Sequence, residues 1–336
     1  MTTYPNQRIV LTSRPVGAFK PTDLSLETDE LAAPGPGHAM IAVDTLSIDA
    51  FIRTILDDGS YHMSVPLGGL VTALGVGTVV DSTVEELQPG DRVFGPLGAQ
   101  THALLPATAL RKLDVGVVPA RAYLGAIGLT TGVTAYFGMC VVGAVTQGDV
   151  VVVSGAAGAV GSVAGQLARI AGAGKVIGVA GGPHKTAFLV DELGYDAAID
   201  YKNDDVPTRL RELAPDGVDV FYDNVGGAIL DAVLFQIRER GRIVICGGIS
   251  QYEHMDRVVG PTNYLKLAER HARMEGFAVT HFADRFGEAE TALAGWLAEG
   301  RLKMPEHVVH GIDQFPAALD TLLTGGHTGK MLLQVS

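Results

Sequence analysis

The chain has 336 residues, of which 47% are hydrophobic and 18% are charged. It is therefore long enough to bury a full core and, at ~100–200 residues per domain, to form two domains. Acidic residues outnumber basic ones by 37 to 25, and with a net charge of −12 and no run of three or more Lys or Arg, nucleic acids and anionic membrane surfaces are excluded as expected partners.

Residues 1–120 have the composition of short strands with few helices. Residues 8–13 and 39–48 are strand-like, and turn signals at 34–37 separate them. Residues 71–81 form another strand-like run that glycines interrupt, and a turn at 88–91 precedes the next strand. This part of the chain is expected to be a β domain.

Residues 122–148 contain no charged residue and are long enough to span a bilayer. The segment also holds six glycines, which favour broken, buried segments of a folded core over one continuous membrane helix. We therefore expect no membrane insertion. The N-terminus lacks a basic segment followed by an apolar run, so no signal peptide is expected either.

Strands and helices alternate from residue 149 onward. Predicted strands are 149–154, 175–180, 197–201, 218–223 and 242–246. Predicted helices are 160–171, 184–193, 204–214 and 229–237. Later elements are helices at 286–297 and 315–323 and a closing strand at 330–335. This alternation predicts an α/β fold with a parallel sheet covered by helices on both faces.

A glycine-rich loop, Gly155–Gly161, joins the first of these strands to a helix. Such a loop lets the backbone approach a pyrophosphate, and the free N–H groups of the helix favour an anion. Ala156 occupies the first glycine position of the usual G-x-G-x-x-G pattern. A tight turn that needs glycine only for packing is the alternative, but the surrounding strand and helix favour dinucleotide binding.

The second strand of the set distinguishes NADP(H) from NAD(H). NAD sites place an acidic residue ~20 residues after the loop, whereas residues 179–185 contain no carboxylate. Lys185 follows this strand, and Tyr201 ends the next one. A lysine and a phenol suit a 2′-phosphate, so the sequence predicts NADP(H), although Lys185 could also be a solvated lysine that opens a helix.

Four segments of the chain occur in the order known from one protein family: residues 155–162, 223–227, 246–252 and 273–277. Together they resemble the zinc-independent branch of the medium-chain dehydrogenase/reductase superfamily. This branch includes prostaglandin reductases, leukotriene B4 12-hydroxydehydrogenases and 2-alkenal double-bond reductases. The resemblance covers essentially the whole chain.

This resemblance implies two domains and a homodimer. Residues 1–125 together with 310–336 would form a chaperonin-10-like β-barrel domain, and residues 126–309 a Rossmann-type NADP-binding domain. The homodimer would extend the sheet of the nucleotide domain. The two cysteines, Cys140 and Cys246, cannot build a disulfide framework, so a reducing, cytoplasmic location is expected.

The resemblance also implies a set of cofactor-binding residues. Those for the pyrophosphate are Ala157, Gly158, Ala159 and Val160. Those for the 2′-phosphate are Gly181, Lys185 and Tyr201. The remaining implied contacts are Asn224, Cys246, Gly247, Ile249, Tyr252, Phe277, Val279 and His327. Cys246 is interpreted as a small apolar residue at a strand end rather than a nucleophile, and His327 stands where the family often has asparagine.

The implied reaction is the NADPH-dependent reduction of the carbon–carbon double bond of an α,β-unsaturated ketone or aldehyde. It needs a hydride at the β carbon and a hydrogen-bond donor for the enolate oxygen. Tyr252 is the candidate donor. Tyr61 and Phe51 are candidate substrate contacts, and Phe51 replaces a tyrosine of the family segment and so lacks its hydroxyl.

Three other functions are alternatives to this reaction. An NADPH:quinone oxidoreductase uses the same cofactor and no metal, so the motifs barely separate it from an enone reductase. A zinc alcohol dehydrogenase needs Cys and His ligands, but the two cysteines lie outside those motifs and residues 67–70 contain no Gly-His-Glu. A non-catalytic NADPH-binding sensor or structural protein is the third alternative. We expect no metal.

Overall fold

The computed structural model describes residues 2–58, 63–116 and 118–335. It divides into two compact units. The first, which we call the β-rich unit, comprises Met1–Leu124, Glu306–His327 and Met331–Ser336. The second, which we call the α/β unit, comprises Gly125–Pro305 and Thr328–Lys330.

Most strand pairs of the β-rich unit are antiparallel. Its strands, with β15 shared at Lys330, are β1 (Thr3–Leu11), β2 (Leu24–Ala32), β3 (His38–Ser47), β4 (Gly75–Ser82), β5 (Arg92–Gly95), β6 (His102–Pro106), β7 (Arg111–Lys112), β14 (Glu306–His310) and β15 (Lys330–Gln334). Within the described residues the main sheet has the order β14-β15-β3-β4-β5-β7, with β6 also paired to β3, and β1 pairs with β2. Helices α1 (Phe51–Ile55) and α9 (Phe315–Leu323) complete the unit.

The α/β unit contains a parallel sheet. Its strands are β8 (Val150–Ser154), β9 (Lys175–Ala180), β10 (Ala197–Asp200), β11 (Val218–Asp223), β12 (Ile237–Ile245) and β13 (Arg273–Gly276). Among the described residues their order is β10-β9-β8-β11-β12-β13, and each neighbouring pair is parallel. The order steps outward in both directions from β8, which is the doubly wound Rossmann arrangement. The predicted fold class is confirmed.

The α/β unit also contains helices, several of which connect strands of the sheet. They are α2 (Thr134–Tyr136), α3 (Ala159–Ile170), α4 (Pro183–Asp191), α5 (Val206–Leu213), α6 (Gly227–Phe235), α7 (Lys266–Glu269) and α8 (Phe286–Ala298). On one side of the sheet, Leu210 of α5 and Val233 of α6 pack with Val152, Ile177 and Phe221 of the strands, and all five are buried. This apolar burial explains why the strands read as continuous hydrophobic runs.

Most predicted boundaries agree with the structure to within two residues, but β12 begins earlier than predicted. The expected helix 229–237 ends at Phe235, and β12 already starts at Ile237, which pairs with Val218 of β11. Arg240 has φ of 61°, and the register of the pair shifts between Val218 and Val220. The first half of β12 is charged, so only its pairing with β11 makes it a strand.

Within the uncharged segment 122–148, residues 129–142 are helical without interruption. α2 is flanked by π-helical turns at Leu129–Val133 and Phe137–Val142. A Cβ atom on Gly132 would lie 1.7 Å from the carbonyl oxygen of Ala126, so this glycine permits a close backbone approach. Among the described residues, the helices are all too short or too polar to cross a membrane.

Candidate functional site

The glycine loop connects β8 to α3 and leaves the first turn of the helix accessible to an anion. Gly155 has φ of +57°, and the N–H of Gly158 donates to its carbonyl oxygen at 3.0 Å. Gly158 is the N-cap residue of α3, and no side chain caps the N–H groups of the first turn. The backbone of residues 157–160 therefore curves around the start of a helix whose first N–H groups have no partner within the helix. These are the four residues predicted to hold a pyrophosphate.

Gly161 has a packing role within the same loop. A Cβ atom there would lie 2.3 Å from the carbonyl oxygen of Gly155 and 2.7 Å from Cα of Ala156. The hydroxyl of Tyr195, a buried residue, donates to the carbonyl oxygen of Gly161 at 2.7 Å. The close packing of α3 against the loop after β8 therefore requires this glycine, whichever group the loop binds.

The C-terminal segment also reaches this loop. The N–H of Gly329 donates to the carbonyl oxygen of Ala157 at 2.7 Å, and Gly329 forms a parallel bridge with Gly158. The predicted contact His327 lies two residues earlier, in the β-rich unit, and is half-buried.

Gly181, Lys185 and Tyr201 gather at the carboxyl ends of β9 and β10. A Cβ atom on Gly181 would lie 2.9 Å from the ring of Tyr201 and 2.9 Å from Cε of Lys202. Burial, followed by the positive charge of Lys202, lowers the pKa of Lys185. Tyr201 and Lys202 therefore lie against Gly181, and Lys185 lies within electrostatic reach of Lys202. Lys202 was missed by the sequence analysis, although its position directly after Tyr201 was a usable signal.

An acidic side chain lies in this corner, but neighbouring backbone N–H groups and one side-chain amide already donate hydrogen bonds to it. Asp200, at the end of β10, accepts the N–H of Gly182 at 2.7 Å, the N–H of Lys202 at 3.1 Å and the side-chain amide of Asn203 at 2.7 Å. Burial acts to raise the pKa of Asp200, but these hydrogen bonds outweigh it and the pKa is lowered. The carboxylate therefore stabilises the turns that carry Gly182 and Lys202.

The loops after β11 and β12 lie side by side. The N–H groups of Cys246 and Gly247 donate to the carbonyl oxygen of Asp223 at 2.9 and 3.1 Å, and the N–H of Ile249 donates to that of Asn224 at 3.2 Å. Burial raises the pKa of the Cys246 thiol to about 12. A thiol with this pKa is a poor nucleophile at neutral pH, which agrees with its interpretation as a small apolar residue rather than a nucleophile.

Tyr252 folds back over the loop that carries it. Its hydroxyl accepts the N–H of Gly248 at 3.4 Å, and it would lie 3.2 Å from a Cβ atom on Gly247. Burial raises the pKa of Tyr252 above its usual value. The phenol is therefore protonated at neutral pH, and a hydroxyl that accepts one hydrogen bond can still donate its proton.

Phe277 and Val279 follow β13, and Phe277 belongs to an aromatic cluster. The N–H of Phe277 lies 3.5 Å from the carbonyl oxygen of Ile245, so the residue stands beside the end of β12. Its ring is 6.2 Å from that of Phe282, which stacks on Phe137 at 4.5 Å. This packing fixes the segment that begins with Val279.

The two candidate substrate contacts belong to the β-rich unit. Phe51 begins α1 and packs, partly buried, against the core of that unit. Tyr61 lies outside the described residues.

No group of three or more His, Cys, Asp and Glu suited to a metal ion occurs in the described ranges 2–58, 63–116 and 118–335. Cys140 lies in the helical segment 137–142, where burial, followed by the charge of Glu288, raises the pKa of its thiol to about 11.

Two family models match the chain: one described as "Zinc-binding dehydrogenase" over residues 159–295, and one described as "N-terminal domain of oxidoreductase" over residues 7–113. A putative NADP-dependent oxidoreductase of Bacillus subtilis is 40% identical, and the alignment covers 99% of both chains. The 2-alkenal reductase (NADP(+)-dependent) of Nicotiana tabacum is 34% identical, with 98% of both chains covered.

The chain belongs to the zinc-independent medium-chain dehydrogenases/reductases.

Solved structures of medium-chain dehydrogenases/reductases are similar to this one over the full length. CurA of Vibrio vulnificus in complex with NADPH is 33% identical with a TM-score of 0.93, covering 98% of this chain and 99% of that chain. A quinone oxidoreductase of Pseudomonas syringae is 28% identical with a TM-score of 0.76 and the same coverage. One of the matching family models is described as zinc-binding, but the described residues of this chain contain no group of three or more His, Cys, Asp and Glu that could hold a metal ion.

Proposed function

We propose that this oxidoreductase reduces the carbon–carbon double bond of α,β-unsaturated ketones or aldehydes with NADPH and without a metal. The observation that carries the proposal is the protonated phenol of Tyr252 in the loop after β12, beside the predicted contacts Gly247 and Asn224. It is a hydrogen-bond donor of the kind that an enolate oxygen needs.

NADP(H) is the cofactor, and the α/β unit provides the residues to hold it. Residues 157–160 form a backbone cradle at the start of α3 for the pyrophosphate. Lys202 and Tyr201 lie against Gly181, and Lys185 is close to Lys202, so that two cations suit a 2′-phosphate here. Asn224, Ile249 and Phe277 are proposed contacts of the nicotinamide half.

Bound NADPH supplies the hydride for the reaction. The chain contributes the binding groups and a donor for the carbonyl oxygen, on which negative charge grows as the β carbon is reduced. Tyr252 donates its phenolic proton in a hydrogen bond to that oxygen, and the raised pKa of the phenol keeps the proton in place at neutral pH. The α carbon then takes a proton from solvent water, which gives the saturated carbonyl compound.

The alternative is reduction of quinones with the same cofactor. Support for the enone reaction comes from the relative named 2-alkenal reductase, which is 34% identical, whereas the quinone oxidoreductase structure is 28% identical.

The deciding experiment follows NADPH absorbance with open-chain enones and alkenals, cyclohexenone, quinones and saturated ketones. Consumption with enones and recovery of the saturated ketone are expected. Consumption with quinones alone favours the quinone oxidoreductase. Tight NADPH binding without turnover of any acceptor favours a binding protein.

Replacing Tyr252 by phenylalanine will lower kcat for enone reduction by about 10- to 100-fold, because one donor to the growing oxyanion is lost. The Kd for NADPH, measured by fluorescence titration, will change little. Tyr136→Phe is the matched control, since its hydroxyl bonds Glu288 at 2.8 Å outside the proposed site. An unchanged kcat in Tyr252→Phe would rule out this residue as the donor.

We also propose a homodimer formed through the edge of the parallel sheet. β13 ends the strand order of that sheet and all four of its residues are exposed. The preceding segment exposes Val259 (70%), Tyr264 (56%) and Leu265 (67%). An edge strand of this kind can pair with a second copy. Light scattering is expected to give twice the chain mass of 35.1 kDa; the mass of one chain would contradict the proposal.

A further inference from the structure

A buried carboxylate lies at the centre of the loops that carry the proposed nicotinamide contacts. Asp223 ends β11 and is 0% exposed. Its Oδ1 accepts the N–H groups of Val225 and Gly226, both at 3.0 Å, and its Oδ2 accepts the latter at 3.1 Å. A buried charge is retained only where donors compensate for its desolvation. Here the donors belong to the loop that follows β11.

Ser154 connects this carboxylate to the next residue along the chain. Its hydroxyl donates to Oδ1 of Asp223 at 2.6 Å and accepts the N–H of Asn224 at 2.8 Å. Ser154 is fully buried at the end of β8, directly before the glycine loop. One hydroxyl therefore ties the end of β8 to the loop after β11.

The same serine fixes the orientation of the Asn224 side chain. Nδ2 of Asn224 donates to the carbonyl oxygen of Ser154 at 2.7 Å, and a carbonyl oxygen can only accept. The amide nitrogen must therefore face β8, and Oδ1 must face away from it. No donor among the described residues bonds this Oδ1, and Asn224 is half-buried rather than enclosed.

Asn224 could contact either the nicotinamide ribose or the diphosphate of the cofactor, and an outward amide oxygen does not suit both equally. It accepts a hydrogen bond from a hydroxyl and repels the oxygens of a phosphate. We propose that Ser154 and Asp223 are positioning residues that hold the Asn224 amide with its oxygen directed to a hydroxyl of the nicotinamide ribose rather than to the diphosphate. This inference rests on the proposed use of NADPH.

Asp223 and Ser154 can be tested with variants that separate positioning from folding. Asp223→Asn keeps an oxygen that can occupy the position of Oδ1, which carries the contacts with Ser154, Val225 and Gly226. Asp223→Ala removes all of them. Ser154→Ala removes only the bridge. Ser47→Ala is the matched control, because Ser47 is a buried serine that donates to an aspartate, Asp49, in the β-rich unit.

Binding is measured by titration with NADPH and, separately, with 2′-phosphoadenosine 5′-diphosphate, which keeps the diphosphate and lacks the nicotinamide ribose. Ser154→Ala, Asn224→Ala and Asp223→Ala are each expected to raise the Kd for NADPH about tenfold, the effect of about one hydrogen bond. The Kd for 2′-phosphoadenosine 5′-diphosphate should stay within about twofold of the wild type. Asp223→Asn should restore NADPH binding, and Ser47→Ala should leave it unchanged.

The double variant Ser154→Ala/Asn224→Ala provides the decisive comparison. If Ser154 acts through Asn224, the double variant binds NADPH no more weakly than Asn224→Ala alone. Additive losses, an equal loss of 2′-phosphoadenosine 5′-diphosphate binding, or an unchanged Kd for NADPH in Ser154→Ala would overturn the inference.

The same titrations distinguish this inference from the proposed function. A wild-type protein that binds no NADPH would refute both. A wild-type protein that binds NADPH with the expected variant pattern, but reduces no enone, would leave the inference standing and refute only the proposed reaction.

Discussion

Replacing Lys185 by alanine will weaken NADPH binding by about 1.5–3 kcal/mol, the range for a hydrogen bond to a charged group, and will leave NADH binding nearly unchanged. The reason is the corner around Gly181, where Lys185 and Lys202 are close enough for one to lower the pKa of the other. Two like charges repel, and a 2′-phosphate bound between them would relieve that repulsion. Lys202→Ala is expected to have a similar effect.

Isothermal titration with NADPH and NADH measures this selectivity directly. Lys112→Ala is a suitable control, since Lys112 is exposed and pairs with Asp91 at 2.6 Å in the β-rich unit. Equal losses of NADPH and NADH affinity in Lys185→Ala would show that the lysine contacts a part common to both cofactors. An unchanged NADPH affinity in both lysine variants would remove this corner from the 2′-phosphate site.

Replacing Gly161 by alanine will destabilise the α/β unit by about 3 kcal/mol, the upper part of the range for overpacking. The new Cβ atom would lie 2.3 Å from the carbonyl oxygen of Gly155 and 2.7 Å from Cα of Ala156. Both are backbone atoms of the loop after β8, so α3 must move away from this loop to accommodate the methyl group. Denaturant unfolding measures the loss, and NADPH affinity will fall with it.

Gly295 provides the matched control for this prediction. It lies inside α8, and a Cβ atom there would meet nothing within 4 Å. Gly295→Ala is expected to stabilise the protein by about 0.5–1 kcal/mol, since alanine favours the helix. If the two alanine variants had the same stability, close packing at Gly161 would not be the cause of any loss of stability in Gly161→Ala.

The elements of the α/β unit could be predicted well because their signals are local. β9 and β11 were predicted with the bounds that the structure has, and β8, β10 and α8 differ by one residue at one end. Buried parallel strands read as short apolar runs between turn residues, and this pattern requires no knowledge of the partner strands. The family was also predicted correctly from its ordered motifs.

The first half of β12 shows where local signals fail. Residues 238–240 are Arg, Glu and Arg, and nothing in this stretch has strand character. It forms a strand because Ile237 pairs with Val218 and because the rest of β12 continues along β11. Strand propensity depends strongly on such pairing, so the boundary was not readable from the sequence.

The sequence by itself determined the alternation of strands and helices, the glycine loop, the lack of an acid after β9 and hence the choice of NADP(H). These are properties of neighbouring residues. The tertiary structure decided which distant residues meet: Lys202 with Lys185 at Gly181, Gly329 with Ala157, and Ser154 with Asp223 and Asn224. The physical reason is the parallel register, in which Val153 pairs with Tyr222. This register aligns the carboxyl ends of strands that lie about seventy residues apart in the chain, and it brings their loops into hydrogen-bond distance.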